Sequence, residues 1–197
     1  MKKNFLIYAA LLFTFSACES NGPENRLPEE TVPLSEYAGE AVDLGLSVNW
    51  ASTNVSDYYY YWACTVPLGD YDSFDWDDPY DTDYTCHTGS KYDVARMSWG
   101  GDWRTPTEAE WKELKTKCTL RWDGRGMVVT GPNGNSIYLP ANAPYGRFHV
   151  YYWTSSRRKN GDYKGSPEAV YVSEFGLSGP EPASEHNGCR VRPVCNK

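Results

Sequence analysis

Between residues 103 and 118 the chain reads WRTPTEAEWKELKTKC, its clearest helix. Thr105 or Thr107 supplies an N-cap oxygen, Pro106 suits a first turn, and Glu108 and Glu110 sit where the helix dipole favours anions. Trp111, Leu114 and Cys118 fall at the i, i+3, i+7 spacing of one buried stripe, while Lys112, Lys115 and Lys117 face outward. Beyond Cys118 the texture is different in kind: MVVT, SIYL, VYYWTS, AVYVSEF and CRVRPV are short apolar or β-branched runs bounded by Gly, Pro or Asn. Upstream, AVDLGLSVNWAS alternates briefly and breaks at Gly45, as a strand that turns early does. Within YDVARMSW, Val94, Ala95 and Trp99 have helix-like spacing that stops at Gly100 and Gly101. One main helix, a shorter second helix and a set of short strands predict an α+β domain with a small antiparallel sheet and long loops.

Length and composition narrow the class further. A chain of 197 residues suits one domain plus a tail. With Trp 8, Tyr 16 and Phe 6 beside 40% hydrophobic residues it can build a core, which argues against disorder. Its net charge of −7 makes nucleic acid a poor partner, because phosphate contacts need clustered Lys and Arg.

The N-terminus reads as an address. Met1, Lys2 and Lys3 precede an apolar run over residues 5–15, then the small residues Ser16 and Ala17, then Cys18. That is the layout of a secretory signal. Phe15-Ser16-Ala17-Cys18 resembles a bacterial lipoprotein box, although Phe stands where Leu is commonest. It predicts removal of residues 1–17, acylation of Cys18 and display at the cell envelope, on the outer-membrane surface, with membrane contact only through the lipid. Ordinary signal-peptidase cleavage is the alternative. Residues 18–40 are polar, carry three prolines and read as a flexible tether. The folded domain is expected over residues 41–197.

Residues 57–84, DYYYYWACTVPLGDYDSFDWDDPYDTDY, stand apart from the rest. Their consecutive aromatic rings cannot all be buried on one side of a strand or helix. Asp70, Asp72, Asp75, Asp77, Asp78, Asp81 and Asp83 crowd seven carboxylates into fourteen residues, with no Lys or Arg between positions 56 and 90. Like charges this dense repel unless solvated or bound to a cation. Three readings stand open: a solvated surface loop, a carbohydrate site with rings as apolar platforms, and a calcium-organised loop on Asp70, Asp72, Asp75 and Asp77. Candidate ligand contacts here are Tyr58, Tyr60, Trp62, Asp70, Asp72, Trp76, Asp77, Asp78 and Tyr80. A second polar surface runs through Arg157, Arg158, Lys159, Asn160, Asp162, Tyr163 and Lys164 in the loop after VYYWTS, and through residues 181–187, beginning with Glu181. No cofactor is expected beyond that possible calcium.

Taken together, VDLGLSVNWAS, YDVARMSWGGDWRTPTEAEWKEL, SIYLPA, YYWTSS and GCRVRPV occur in an order that resembles the Fibrobacter succinogenes major paralogous domain family. The resemblance runs from about Ala41 to Val194 and implies a C-type-lectin-like fold related to the formylglycine-generating-enzyme group. It implies that YYWTSS and CRVRPV are neighbouring central strands. It also puts Trp50, Trp99, Trp103, Trp111 and Trp153 at matched positions, as core residues. In such folds the long loops usually carry the ligand, so a glycan or surface protein is the implied partner. The calcium-dependent sugar motif of true lectins is not matched: Ala183 follows Glu181-Pro182 where that pattern has Asn. Related folds also serve as retroelement-diversified binding proteins, and a pilus-tip or structural adhesion role is the other alternative. An enzyme is not expected. Cys189 and Cys195 only loosely echo the formylglycine pair, since six residues of strand span ~20 Å.

The resemblance also implies a disulfide from the end of the main helix to the last strand, Cys118 to Cys195, with Cys118 to Cys189 nearly as plausible. Cys64 and Cys86 bracket the acidic segment, and their pairing is expected to pin its base. Exported proteins permit such bridges.

Overall fold

The computed structural model describes residues 38–65, 67, 91–142 and 149–197. Among them are two helices and three small antiparallel sheets of three strands each. The chain begins with a hairpin of β1 (Ala41–Asp43) and β2 (Asn49–Ala51), in which Val42 faces Trp50. Two helices come next, α1 (Val94–Trp99) and α2 (Glu108–Lys117). Then come β3 (Thr119–Trp122), β4 (Gly126–Thr130) and β5 (Ser136–Pro140), a meander in register from Thr119 opposite Thr130 to Gly126 opposite Pro140. A second meander contains β6 (His149–Arg157), β7 (Pro167–Ser173) and β8 (Gly176–Pro182). Finally β9 (Val194–Cys195) returns to pair with β2, so that the two ends of the domain share one sheet.

Local chemistry explains the helices. Thr107 is the N-cap of α2: its hydroxyl accepts from the Glu110 amide at 3.3 Å, and Glu110 Oε2 accepts from the Thr107 amide at 2.7 Å. Both orphan donors of the first turn are thereby satisfied reciprocally. Glu110 also takes a two-pronged hydrogen bond from Arg104, at 2.5 and 2.9 Å. Helix α1 is capped by the buried Asp93, which accepts from the Ala95 amide at 3.0 Å. The same carboxylate accepts from the amide and hydroxyl of Thr105, both at 2.8 Å, so it ties α1 to the approach of α2. Gly100 ends α1 at φ +68°, a conformation that L side chains resist.

The five expected core tryptophans are all buried. The largest apolar body is built on Trp50 and Trp111, edge to face at 4.8 Å between centroids, with Tyr152 tilted against Trp111 at 5.7 Å. Leu114 of α2, Met127, Val129, Ile137 and Leu139 of the first meander, and Val170 and Val172 of the second complete it. Burying each such aliphatic side chain contributes roughly 1.5–3 kcal/mol. The β6–β7 layer is covered on its other face too, where Trp153 and Ala169 pack with Tyr60, Trp62, Val94 and Val191. A third group holds Trp99 and Trp103, edge to face at 5.2 Å, against Ala51. The two hairpin turns interlock at Gly131: a Cβ there would lie 2.0 Å from the Leu44 carbonyl oxygen, so only glycine fits.

Three expectations are revised here. Strands β3 and β8 were not anticipated: TLRW is only half-buried, and GLSGPEP carries one buried apolar residue, Leu177. CRVRPV does run beside β6, with a parallel bridge between Tyr152 and Arg190, but only its last residue, Val194, enters a ladder, with β2. The expected disulfides of Cys118 are not formed, because its two candidate partners belong to other parts of the core. Cys118 packs on the largest apolar body, Cys189 lies buried in the second and Cys195 touches the third. Burial pushes all three thiols above their ordinary pKa, Cys189 furthest. Cys86 lies outside the described residues, and with it the pairing with Cys64. Among the described residues no helix is long and apolar enough to cross a membrane.

The cap is worth testing. Thr107→Ala should cost about 1 kcal/mol in urea titration, lowering Tm by roughly 2–4 °C for a domain of this size. Glu110 generates a pH effect as well. Burial pushes its carboxyl upward, but the hydrogen bonds from Arg104 and Thr107 outweigh this and hold it below its ordinary value of 4.5. The folded state therefore binds this proton less readily than the unfolded chain does. The stabilisation is complete above pH 4.5 and drains away as pH falls below it. Glu110→Gln should lower stability at neutral pH and flatten the acid limb of a plot of stability against pH.

Candidate binding cleft

Two sequence-selected surfaces meet on one side of β6. At the base of the aromatic segment, Tyr60 is bridged to Cys189 by backbone hydrogen bonds of 2.9 and 3.0 Å. Its carbonyl accepts from the Trp153 indole at 2.7 Å, and the Trp62 indole donates to the Thr154 carbonyl at 2.9 Å. Both rings are 3% exposed, so Tyr60 and Trp62 serve the core and not a ligand. Tyr58, at 58%, stands in solvent. Asp70, Asp72, Asp75, Trp76, Asp77, Asp78 and Tyr80 lie outside the described residues, and the calcium reading lies there with them. Among the described residues no group of His, Cys, Asp and Glu is placed to hold a metal.

Arg157, at the end of β6, is a structural clamp. Its guanidinium lies over the Trp62 ring at 4.1 Å, donates to the Gly165 carbonyl at 2.5 Å and pairs with Glu185 at 2.7 Å. It thus joins the aromatic base, its own loop and residues 183–188. Glu185 adds to this by accepting the Trp62 amide on its carbonyl at 3.1 Å.

Arg158 turns to a different place. The loop after it is closed by hydrogen bonds between Arg158 and the residues Gly165 and Ser166, at 2.8 and 2.7 Å, so it is a fixed hairpin end. Tyr163 at its tip is 66% exposed. Alongside runs the first turn of α2, docked by Ser155 and Ser156: the Ser155 amide donates to the Pro106 carbonyl at 2.8 Å, and the Glu108 amide donates to Ser156 Oγ at 3.0 Å. Between hairpin and helix opens a cleft of about 340 Å³ lined by Glu108, Lys112, Arg158, Lys159, Asn160 and Glu168.

The charges in this cleft are unusual for so acidic a chain. Lys112, Arg158 and Lys159 outnumber Glu108 and Glu168. Lys112 is ion-paired to Glu108, one helical turn away. Glu168, near the start of β7, has a side chain only 1% exposed. Arg158 donates to its Oε1 at 3.2 Å, while its Oε2 is buried without a hydrogen-bond partner among the described residues. A buried carboxylate oxygen left in that state costs free energy.

Of the residues expected on this second surface, Arg158, Lys159 and Asn160 line the cleft, Arg157 pairs with Glu185, and Tyr163 and Glu181 are exposed on the loop and on β8. Sequence reasoning missed Glu108 and Lys112, read as a dipole partner and an outward face, and Glu168. The signal for Glu168 was a lone acid opening the apolar run of β7.

The chain matches no protein-family model, no curated protein and no solved structure.

The division of labour among the aromatics is measurable. Trp62→Ala should destabilise the domain by about 3–5 kcal/mol in chemical denaturation. Tyr58→Ala should stay within about 0.5 kcal/mol of the parent chain.

Proposed function

We propose that this chain is a lipid-anchored binding module of the cell envelope, C-type-lectin-like in build, which recognises a glycan or surface protein through its loops and performs no catalysis. The single observation that carries the binding reading is the cleft beside the 157–166 hairpin, lined entirely by the polar and charged residues Glu108, Lys112, Arg158, Lys159, Asn160 and Glu168. The order of motifs along residues 41–194 supports membership of the Fibrobacter succinogenes major paralogous domain family. So do one ten-residue helix, a six-residue companion and antiparallel strands joined by loops. The box at Cys18 supports acylation there, with residues 18–40 as the tether and the outer-membrane surface as the place of display. Tyr58 and Tyr163, both exposed, are the aromatic platforms of this reading. Asp70, Asp72, Trp76, Asp77, Asp78 and Tyr80 are its remaining acidic and aromatic contacts.

The full chain, purified in mild detergent, is to be screened on a glycan array with calcium and again with chelator. Reproducible hits on a defined set of glycans are expected. Hits lost with chelator assign recognition to an acidic loop organised by calcium, and hits indifferent to it assign recognition to the cleft and the exposed rings. A blank array under both conditions overturns the glycan reading and leaves a surface-protein partner, sought by pull-down.

A further inference from the structure

Asparagine followed by glycine is a chemically labile pair, because glycine, lacking a side chain, lets its own amide nitrogen reach the preceding carboxamide. Three such pairs lie among the described residues: Asn133-Gly134, Asn160-Gly161 and Asn187-Gly188. A fourth, Asn21-Gly22, lies outside them. Every residue of the three pairs is exposed, so access to water does not separate them. Hydrogen bonding does. The Asn133 carboxamide donates to the Asp43 carbonyl at 2.7 Å and accepts from the Asn135 amide at 3.1 Å. The Gly134 amide donates to the Gly131 carbonyl at 3.0 Å. Electrophile and nucleophile are thus each held by other partners. Asn160 and Asn187 are placed differently. Among the described residues neither side chain makes a hydrogen bond, and neither the Gly161 nor the Gly188 amide donates to an acceptor.

We propose that Asn160 and Asn187 are sites of spontaneous deamidation, and that the fold protects Asn133 from the same reaction. The glycine nitrogen gives up its proton to water and attacks the side-chain Cγ. The N–Cγ bond forms, the Cγ–Nδ2 bond breaks, and ammonia leaves with a proton taken from water. The cyclic imide that results is opened by water at either of its carbonyls. Opening between nitrogen and Cγ leaves aspartate. Opening between nitrogen and the main-chain carbonyl carbon leaves isoaspartate, with the chain rerouted through the side chain. Water is the only co-reactant. The position of Asn160 gives the step a consequence. Asn160 lines the cleft, where Lys112, Arg158 and Lys159 stand against Glu108 and Glu168. Conversion adds a third carboxylate there, so the local excess of cations disappears, and the field that a charged ligand meets changes with it. This chemistry needs no ligand and stands apart from the binding reading above.

The test incubates the full chain, purified in mild detergent, at neutral pH below its melting temperature, and follows each peptide by mass spectrometry. Isoaspartate is read separately by methyltransferase labelling. A parallel sample is kept unfolded in guanidinium chloride. In the folded chain Asn160 and Asn187 are expected to convert, with isoaspartate among the products. Asn133 is expected to convert about a hundredfold more slowly, the effect that a small misplacement of reacting groups has on an intramolecular reaction. In guanidinium chloride all three should convert at comparable rates. Asn160→Gln should stop the change in its peptide, since the longer side chain would have to close a larger ring, and leave Asn187 converting as before. As Asn160 is exposed, Asn160→Asp should leave the circular-dichroism melt unchanged. A folded chain in which Asn160 or Asn187 keeps its amide as long as Asn133 does overturns the proposal. So does the same ranking of the three sites in guanidinium chloride, which assigns the difference to flanking sequence and not to the fold.

Discussion

A buried arginine near the C-terminus ties two of the three sheets together. Arg192 is 1% exposed and donates to the Ala51 carbonyl at 3.0 Å and to the Tyr138 carbonyl at 2.6 Å, which lie on β2 and β5. Burial draws its pKa down to about 10, so it stays protonated at neutral pH in the middle of the domain. A buried cation is costly, and carbonyl oxygens with the nearby Tyr152 offset only part of that cost. Its backbone neighbours extend the same role. Val191 accepts from Val55, Pro193 from Ala51, and Val194 exchanges two hydrogen bonds of 2.9 Å with Arg104. Arg190 interlaces with Tyr151 and Trp153 of β6. Residues 190–195 thus reach all three sheets and the approach to α2.

That arrangement decides where the cleft lies. Arg104 is held on one side by Val194 and on the other by Glu110, which fixes the start of α2. Ser155 and Ser156 then clamp the same turn to the end of β6. The cleft is therefore walled by a helix terminus and a strand end that share supports. Its geometry depends on the C-terminal segment although no residue of that segment lines it.

How much of this was legible in the sequence depended on the range of the interactions. Helix α2 and its cap are local: the spacing of Thr107, Glu110, Trp111 and Leu114 contains the information, and the structure uses it. The core tryptophans were legible because a ring of that size finds few places outside a core. Pairings across the chain were not. Cys118 and Cys195 are sensible disulfide partners until the helix end and the last strand are seen to pack in separate apolar groups. Tyr60 and Trp62 looked like surface rings because five aromatics in a row cannot all be buried. The fold resolves this by burying Tyr60, Tyr61 and Trp62 under residues 183–191 and leaving Tyr58 out. Strand β8 escaped notice because pairing with β7, and not its own composition, makes it a strand.

The same limit explains Glu168. A single acid at the head of PEAVYVS reads as the polar edge of a strand, and on an outer strand it would be. Here β7 is the middle strand of its sheet, so Glu168 is enclosed by its neighbours and by the hairpin above, and its charge must be met locally. Arg158 meets half of it. A sequence selected only for stability would more simply place an apolar residue there, since replacing buried ion pairs by well-packed hydrophobic groups is often neutral or stabilising. The energetic cost of this carboxylate is therefore concentrated where β7 meets the 157–166 hairpin, with Arg158 engaging only one of its two oxygens.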